Sequence, residues 1–487
     1  MQSITIGRRF DEIALHESEY DKYIEFIAEN MKDTLGDKVS FSMRSVYSGL
    51  PALILKVTID GKGIDILVVS DTRPWYRLSI EEGISMRTVN EIVRLLEWIT
   101  IVYYETKGKG VVYYAFVPKM DIAPPKYETA THKFFEKLFL GNMVVFFALS
   151  LIIFYALWII FRYWTPYVLL LSQIPILILA PKIIERSFGD WILSRDNRYV
   201  YLVGIRVPLN IYPKLLKEFF YPYRFEFKKR IYLERVSKGE DVDKEYVKTL
   251  LNEYGIEIPD EDIVIRRFDI FNIVERVFSK FRLPIPKIII ANMVLPNAAA
   301  TGAFSRYSGL LITTGLLTQL SEEEIEAVLA HEASHLRNHD TVIFYILASI
   351  EYLLRIFVFY KLWYIFILFP LLEFFYLFLS LTVLFFLGKF VETRADSEAA
   401  LRLDRAGELA NALRKIGLRK LIRERSIHGR LNAWLRWDVH PPLSFRIERL
   451  ERIAKDVHMR TRIMRSLWLS SIIDCITDFK NTLLRTL

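Results

Sequence analysis

The chain has 487 residues, of which 52% are hydrophobic, 14% aromatic and 25% charged, and its formal net charge is +8. So many aromatic residues exclude a disordered chain, and the high apolar fraction argues against a single water-soluble globule. The only cysteine is Cys475, which excludes an intramolecular disulfide and a cysteine-based zinc finger. Any metal site must therefore use His, Asp and Glu. The basic residues are spread along the chain, which is typical of membrane proteins, so no nucleic-acid partner is expected.

Residues 1–133 are predicted to form a soluble N-terminal α+β domain. The first ten residues lack the charged-then-apolar pattern of a signal peptide. Apolar spacing predicts helices over 18–31 and 87–102 and strands over 39–46, 52–59, 64–69 and 111–117. No motif in this region indicates chemistry, so we interpret it as a region for interaction, regulation or simple packing.

Two segments are apolar enough to form membrane hairpins. In residues 138–181, an uncharged run over 140–161 predicts one span, and a 16-residue run over 165–180 predicts a second that ends at Ala180–Pro181. Because the second run is short, a buried amphipathic element is the alternative. Residues 341–388 contain four charges and predict two spans with a turn near 361–363. Pro370 would then kink or start the last helix.

The basic residues that flank these hairpins predict the orientation. They favour a plasma-membrane protein with residues 1–133, 182–340 and 389–487 all on the cytoplasmic side. Residues 182–340 and 389–460 would form two parts of one soluble domain, with strands over 287–290 and 310–314 and a helix capped by Ser321. Residues 461–487 predict an amphipathic C-terminal helix that either lies on the membrane or packs on the protein.

The residues that indicate metal binding and catalysis lie in residues 327–340, AVLAHEASHLRNHD. His331 and His335 are four residues apart on a helix, so both imidazoles project from one face and can bind one zinc ion. Glu332 lies beside them and can accept a proton from a zinc-bound water. This is the zincin arrangement. The alternative is a fortuitous histidine pair on a surface helix.

A catalytic zinc needs a third protein ligand, and two candidates follow the motif. His339 continues the histidine stripe but lies about 12 Å along the helix axis from His331, which is too far for a shared ion. Glu392 and Asp396 are four residues apart after the second hairpin, which returns the chain to the same membrane face. Glu392 would complete the site, and Asp396 would orient a ligand imidazole. An ordinary acidic pair on a helix is the alternative.

Four segments together resemble the HtpX-type and CAAX-prenyl-protease-type family of membrane zinc metallopeptidases, a gluzincin group, and most closely the HtpX type. They are LPIPKIIIANMVLPNAAATG (283–302), ITTGLLTQLSEEEIEAVLAHEASHLRNHD (312–340), VETRADSEAA (391–400) and HPPLSFRIERL (440–450). The resemblance implies that His331, His335 and Glu392 bind zinc, that Glu332 is the general base, and that Asp396 supports a ligand. It does not cover residues 1–133 or 195–265.

The same resemblance implies roles for three further residues. His440 would act in catalysis by hydrogen-bonding the oxyanion of the tetrahedral intermediate, and Arg446 would orient the site or the substrate backbone. Asn297 would lie near the edge strand that pairs with an extended substrate peptide. The corresponding segment here is NAAA, which lacks the family's aromatic residue, so side-chain selectivity is in doubt.

The sequence therefore predicts an α+β membrane protein. It would combine a mainly helical zincin catalytic domain and its small sheet with four transmembrane helices in two hairpins and the N-terminal soluble α+β domain. The predicted function is a zinc endopeptidase with one Zn²⁺ per chain, acting on misfolded or membrane proteins or on peptides. Its partners would be these substrates and the lipid bilayer, and a homo-oligomer is a further possibility. The rival interpretations are a prenyl-peptide processing protease and a catalytically silent membrane scaffold.

Overall fold

A computed structural model describes residues 4–120, 152 and 156–486, apart from residues 12, 60, 209–210, 303–306 and 425–426. The described chain divides into two compact units. The first comprises residues 1–114, 203–231 and 242–265, and the second comprises residues 115–202, 232–241 and 266–487. Each unit therefore contains segments that are distant in sequence.

The first unit is built on a five-stranded antiparallel sheet with strand order β1-β5-β4-β3-β2. Its strands are β1 (Ile4–Arg9), β2 (Val39–Tyr47), β3 (Leu50–Ile59), β4 (Lys62–Val69) and β5 (Trp75–Ile80), and its two longest helices are α1 (Tyr20–Leu35) and α2 (Met86–Thr106). The apolar sides of both helices pack on the alternating inward residues of the strands and form one core. The predicted helices and strands of this region are confirmed, whereas β1 and β5 were not predicted.

The described chain continues through four strands and five helices, of which the 24-residue α3 is the longest. They are β6 (Lys109–Phe116), α3 (Thr165–Phe188), β7 (Trp191–Leu193), β8 (Tyr199–Pro208), α4 (Tyr212–Leu215), α5 (Tyr221–Glu234), α6 (Lys244–Glu253), β9 (Ile263–Asp269) and α7 (Ile270–Lys280). A single π-helical turn, Leu216–Phe220, connects α4 to α5. Strands β6, β8 and β9 form a three-stranded sheet in that order.

The second unit contains a small sheet and most of the helices. Its remaining elements are β10 (Lys287–Ala291), β11 (Ala298–Thr301), β12 (Gly309–Thr313), α8 (Thr314–Gln319), α9 (Glu322–Arg337), α10 (Asp340–Leu368), α11 (Pro370–Leu403), α12 (Ala406–Glu424), α13 (Ile427–Leu435), α14 (Leu443–Lys455), α15 (Val457–Arg465) and α16 (Leu467–Thr486). The four-stranded sheet has the order β11-β12-β10-β7, so β11 is an edge strand. The predicted strands over 287–290 and 310–314 are confirmed.

Three described helices are long and apolar enough to cross a membrane: 156–188, 340–368 and 375–403. Most of the first predicted span, 140–161, lies outside the described residues. Helix α3 does not end at Ala180–Pro181, where the second span is predicted to end, but continues to Phe188 with Pro175 and Pro181 inside it. Proline removes a single backbone donor there, and the apolar helix continues past both positions.

The predicted turn of the second hairpin is also misplaced. Helix α10 kinks at Leu362 but continues to Leu368, and α11 begins at Pro370. Proline suits the first turn of a helix, where its missing N–H group has no intrahelical partner, so the chain turns at Phe369. Ser380 of α11 donates a hydrogen bond to Glu351 of α10 over 2.9 Å, and this bond ties the two helices together.

Helix α9 begins with the capping box that its sequence predicts. The Ser321 hydroxyl accepts a hydrogen bond from the Glu324 N–H over 3.3 Å, and Glu324 Oε2 accepts one from the Ser321 N–H over 2.9 Å. These two bonds satisfy donors that the first turn otherwise leaves without partners.

Replacing Ser321 by Ala should lower the free energy of unfolding by about 1 kcal/mol because one capping bond is lost. Chemical unfolding in detergent, followed by circular dichroism, measures this difference. Ser279→Ala is a matched control, since its exposed hydroxyl donates a hydrogen bond to the Arg276 carbonyl near the end of α7 and caps no helix start. An equal loss in both variants would contradict a specific role for the cap.

Candidate metal centre

Helix α9 places two imidazoles side by side on one face. His331 is buried, and the side chain of His335 is 17% exposed. Because the two residues are four apart, their rings overlap across one helical turn, and their Nε2 atoms lie 3.1 Å from each other. The structure therefore brings the two nitrogens together as the motif predicts.

Glu392 of α11 completes the cluster. Its Oε2 atom lies 3.5 Å from His331 Nε2, and its Oε1 atom lies 3.4 Å from His335 Nε2. The ligand atoms of these three residues all lie within 4.8 Å of one another. Helix α11 presents Glu392 here because it returns from the second hairpin and packs along α9.

The chemistry of this donor set fits a zinc ion. Two imidazole nitrogens and a carboxylate are the ligands of a known class of catalytic zinc site. Ligands about 2.05 Å from a tetrahedral ion are roughly 3.3 Å apart, which is close to the spacings of 3.1, 3.4 and 3.5 Å observed here. Glu392 Oε2 is buried and accepts no hydrogen bond from any described residue. Buried oxygens normally have a partner, so this atom is available to bind a metal ion.

Carboxylates contact the outward nitrogens of both histidines. Asp396 Oδ1 lies 2.9 Å from His331 Nδ1, and Asp340 Oδ2 forms a 2.7 Å hydrogen bond with His335 Nδ1. A carboxylate at Nδ1 fixes the orientation of the ring and leaves Nε2 as the ligand atom. Asp396 therefore lies where the sequence predicts it, whereas Asp340 was not predicted.

Two buried arginines hold these carboxylates. Arg446 of α14 donates two hydrogen bonds of 2.7 Å to the two oxygens of Asp396. Arg394 donates to Asp340, and it pairs with Glu398 over 3.3 Å. The guanidinium of Arg446 therefore makes both of these hydrogen bonds to Asp396. The neighbouring carboxylate raises the pKa of Arg446 despite its burial, so the arginine remains charged.

The electrostatic environment of His331 favours a cation. Burial disfavours its protonated form, but the carboxylates of Asp396 and Glu392 outweigh this effect and raise the pKa of His331 from 6.5 to about 10. The same negative field would stabilise a divalent ion at the imidazole nitrogens, since metal binding and protonation compete for them.

Glu332 lies between the histidine pair and the edge of the sheet. Its Oε2 atom accepts a 2.7 Å hydrogen bond from the Ala300 N–H of β11. Strand β11 pairs only with β12 in the described structure, so its other edge is open. The carboxylate is therefore adjacent to a strand edge that an extended peptide can join.

His440 lies close to the carboxylate of Glu392. Its Nε2 atom is 3.5 Å from Glu392 Oε2, and its Nδ1 atom is 2.8 Å from Asp438 Oδ1. Asp438 also accepts a 3.0 Å hydrogen bond from the His440 N–H, so it fixes both backbone and ring. Lys389 donates to the carbonyls of residues 436, 438 and 440 and holds the loop against α11.

Asn297 immediately precedes the edge strand. Its N–H donates to Thr313 Oγ1 over 2.8 Å, and its carbonyl accepts from the Thr313 N–H over 3.0 Å. The residue itself is exposed. Its backbone thus anchors the start of β11, and the structure brings the other seven predicted site residues together around Glu392, His331 and the edge strand.

The site lies in the part of the chain that matches a known protein family. The model of peptidase family M48 matches residues 266–454. A protease HtpX homolog of Syntrophotalea carbinolica is 30% identical over 212 residues, which cover 38% of this chain and 76% of that protein. The homolog of Pyrococcus furiosus is 27% identical over 217 residues, covering 39% and 74%.

Other matches are shorter or more distant. The HtpX homolog of Thermodesulfovibrio yellowstonii is 40% identical over 82 residues, covering 17% of this chain and 29% of that protein. The crystal structure of Ste24p from S. mikatae covers 74% of both chains at 14% identity, with a TM-score of 0.36. The matched segment therefore covers 29% of the length of the Thermodesulfovibrio yellowstonii protein and about three-quarters of the length of the other three relatives. On the strength of the family match and the 30% identical relative, the chain belongs to peptidase family M48, with protease HtpX homologs among its relatives.

Proposed function

We propose that the chain is an integral-membrane, zinc-dependent endopeptidase that hydrolyses peptide bonds of misfolded or membrane proteins. The observation that carries the proposal is the convergence of His331, His335 and Glu392 beside a carboxylate, Glu332, that reaches the open edge of β11. Membership of the M48 family and the printed name of the HtpX relatives support the reaction class. The distribution of basic residues supports a site on the cytoplasmic side of the plasma membrane.

The three clustered residues would hold one zinc ion. A bound zinc ion lowers the pKa of a coordinated water and polarises the scissile carbonyl. Asp396 and Asp340 orient the two imidazoles through Nδ1, and Arg446 keeps Asp396 charged and in place. This support fixes the side chains of His331 and His335 before the reaction begins.

Glu332 is the proposed general base. Its carboxylate takes the proton of the attacking water and returns it to the leaving amine, a role that needs an acceptor close to the reacting carbonyl. An extended substrate would pair with β11, which follows Asn297, so its backbone would lie alongside Ala300 and Glu332.

His440 is the proposed donor to the oxyanion. Asp438 holds Nδ1, so Nε2 points to Glu392 and the metal site. A pre-oriented donor stabilises the negative charge that develops on the carbonyl oxygen. Arg446 acts through Asp396, and we assign it to positioning the site.

Metal content and cleavage of casein test the proposal. We expect about one zinc per chain in purified wild type, with cleavage that a chelator abolishes and added zinc restores. His335→Ala should weaken zinc binding by more than about 100-fold, since losing a residue that merely orients a ligand already costs about 10–100-fold.

His458→Ala is the matched control for this experiment. His458 is an exposed histidine of α15, outside the metal cluster of the described residues. This variant should keep both the zinc and the cleavage of wild type. Full cleavage by metal-free wild type, or equal zinc binding by His335→Ala and wild type, would contradict the proposal.

A further inference from the structure

The last helix, α16, presents its apolar side away from the protein. Its buried residues are small or polar: Ser470, Ser471, Cys475 and Thr482. Its large aliphatic residues recur at helical spacing on the opposite side, where Leu469 is 57% exposed, Ile473 47%, Ile476 49% and Leu484 61%. A helix that packs on a soluble domain has the opposite orientation, with its apolar side facing the core.

The inward polar side is firmly bound, which excludes a helix that is simply rotated out of place. Asp474 forms ion pairs with Arg449 over 2.9 Å and with Arg462 over 2.7 Å. Asp478 pairs with Arg430 over 2.6 Å and accepts a 2.9 Å hydrogen bond from the Trp434 indole. Turning the helix by half a revolution would break all of these contacts.

Helix α16 lies directly beside a helix that is apolar enough to cross a membrane. On the side of α16 that faces the protein, Phe479 packs on Phe386 of α11, with ring centroids 5.3 Å apart. On α11, Val383, three residues before Phe386, is 51% exposed, and Leu379, seven residues before it, is 54% exposed. The aliphatic stripe of α16 therefore belongs to a helix that is packed against a candidate membrane span.

Two further side chains of α16 suit a membrane interface. Trp468, at the start of the helix, is 39% exposed and packs against Arg394, and Lys480 lies on the same stripe as Ile476. An indole is favoured at the level of the lipid head groups, and a lysine can extend its amine to them while its stem stays in an apolar layer. A stripe of aliphatic residues with one lysine fits a lipid surface better than it fits a water-exposed helix.

We propose that α16 is an interfacial helix whose outer side, Leu469, Ile473, Ile476 and Leu484, is embedded in the lipid bilayer. The helix lies beyond the family match, which ends at residue 454. Its inner side contacts the part of α11 that carries the metal cluster: Cys475 Sγ lies 3.1 Å from Thr393 Oγ1, and Arg449 joins Asp474 to the Thr393 carbonyl. Glu392 is six residues from Phe386, about 9 Å along the helix, so α16 sets the depth of the site relative to the bilayer.

Site-directed spin labelling of the full chain tests this proposal independently of activity. Cys475 is the only cysteine, so Cys475→Ser gives a background in which Ile473→Cys, Ile476→Cys and Leu484→Cys are labelled one at a time. The variants are reconstituted in vesicles of phosphatidylethanolamine and phosphatidylglycerol. Collisions with oxygen, which concentrates in lipid, are compared with collisions with a water-soluble nickel chelate.

Two positions calibrate the measurement. Leu379→Cys reports on the lipid-facing side of α11, and Ala454→Cys reports on an exposed residue of α14. We expect the oxygen-to-nickel ratio at the three α16 positions to approach that of Leu379→Cys and to exceed that of Ala454→Cys severalfold. A ratio equal to that of Ala454→Cys would overturn the proposal. Low collision rates with both reagents, together with dipolar coupling between labels on two chains, would also overturn it, because the occupant would then be a second copy.

A second measurement uses the wild-type chain and needs no variant to fold. A photoactivated carbene reagent that partitions into the bilayer should modify residues 466–480, which trypsin releases as one peptide between Arg465 and Lys480. The peptide of residues 406–414, which lies within α12, should remain unmodified. Equal modification of the two peptides would contradict insertion of α16 into lipid.

Discussion

Replacing Glu332 by Gln should lower the rate of peptide cleavage by about 10²–10⁴-fold while leaving the bound zinc unchanged. Glutamine keeps the shape of the side chain and an oxygen that can accept the Ala300 N–H, so the local structure is preserved. It has no basic oxygen that can take a proton from the attacking water. The change therefore removes the proton transfer alone, because Glu332 is not among the clustered metal ligands.

Turnover of casein and zinc content are measured on the same preparations of both proteins. Glu323→Gln is the control, since it makes the same chemical change at an exposed position in the first turn of α9. This variant should cleave casein at the wild-type rate. Wild-type turnover in Glu332→Gln would contradict the assignment of the general base, whereas loss of zinc from that variant would instead mean that Glu332 helps to hold the metal.

Replacing Arg446 by Gln should lower the free energy of unfolding by about 3–5 kcal/mol. Arg446 is 7% exposed and forms both of its short ion-pair hydrogen bonds with Asp396, which is 2% exposed. Without the guanidinium, a buried carboxylate loses the countercharge that offsets its desolvation. Zinc affinity should also fall, by about 10–100-fold, because Asp396 orients the His331 ring.

Chemical unfolding in detergent and competition with a zinc chelator measure the two effects. Arg414→Gln is the matched control: Arg414 pairs with Glu451, and both side chains are about a third exposed. Breaking such a surface pair should cost less than about 1 kcal/mol. If the two variants lose the same small amount of stability, the buried pair does not have the importance assigned to it.

Local patterns in the sequence predicted much of the fold. Tyr20, Tyr23, Ile24 and Ile27 are buried along α1 as their helical spacing requires, and Ser321 caps α9. Strand β5 was overlooked although its residues alternate and it pairs with the neighbouring β4. Strand β1 was missed because it pairs with β5, about 70 residues later in the chain. That pairing depends on contacts between segments that are distant in sequence, which no local pattern reveals.

The metal cluster was predictable for a different reason. His331 and His335 are related by one helical turn, and the return of the second hairpin brings Glu392 back to them. Asp340 escaped prediction because His339 adopts a left-handed conformation, with a φ of 53°, and this turn brings Asp340 back to His335. Asp438 was missed because its contact with His440 depends on the loop that Lys389 holds.

The orientation of α16 was open at the sequence level because an amphipathic pattern has two possible partners for its apolar side. The structure resolves which side faces the protein: Arg449 and Arg430 bind the aspartates of α16, so its polar side is inward. The side of α16 that faces the protein is therefore set by two arginines on other helices, and the sequence pattern of α16 alone does not determine it.

The most direct test of the central claim is diffraction at the zinc absorption edge from crystals of the wild-type protein grown with zinc. The account predicts one anomalous peak about 2.0–2.2 Å from the Nε2 atoms of His331 and His335 and from a carboxylate oxygen of Glu392. A zinc-loaded crystal with no peak among these three residues, or with its peak at another set of ligands, would contradict the account.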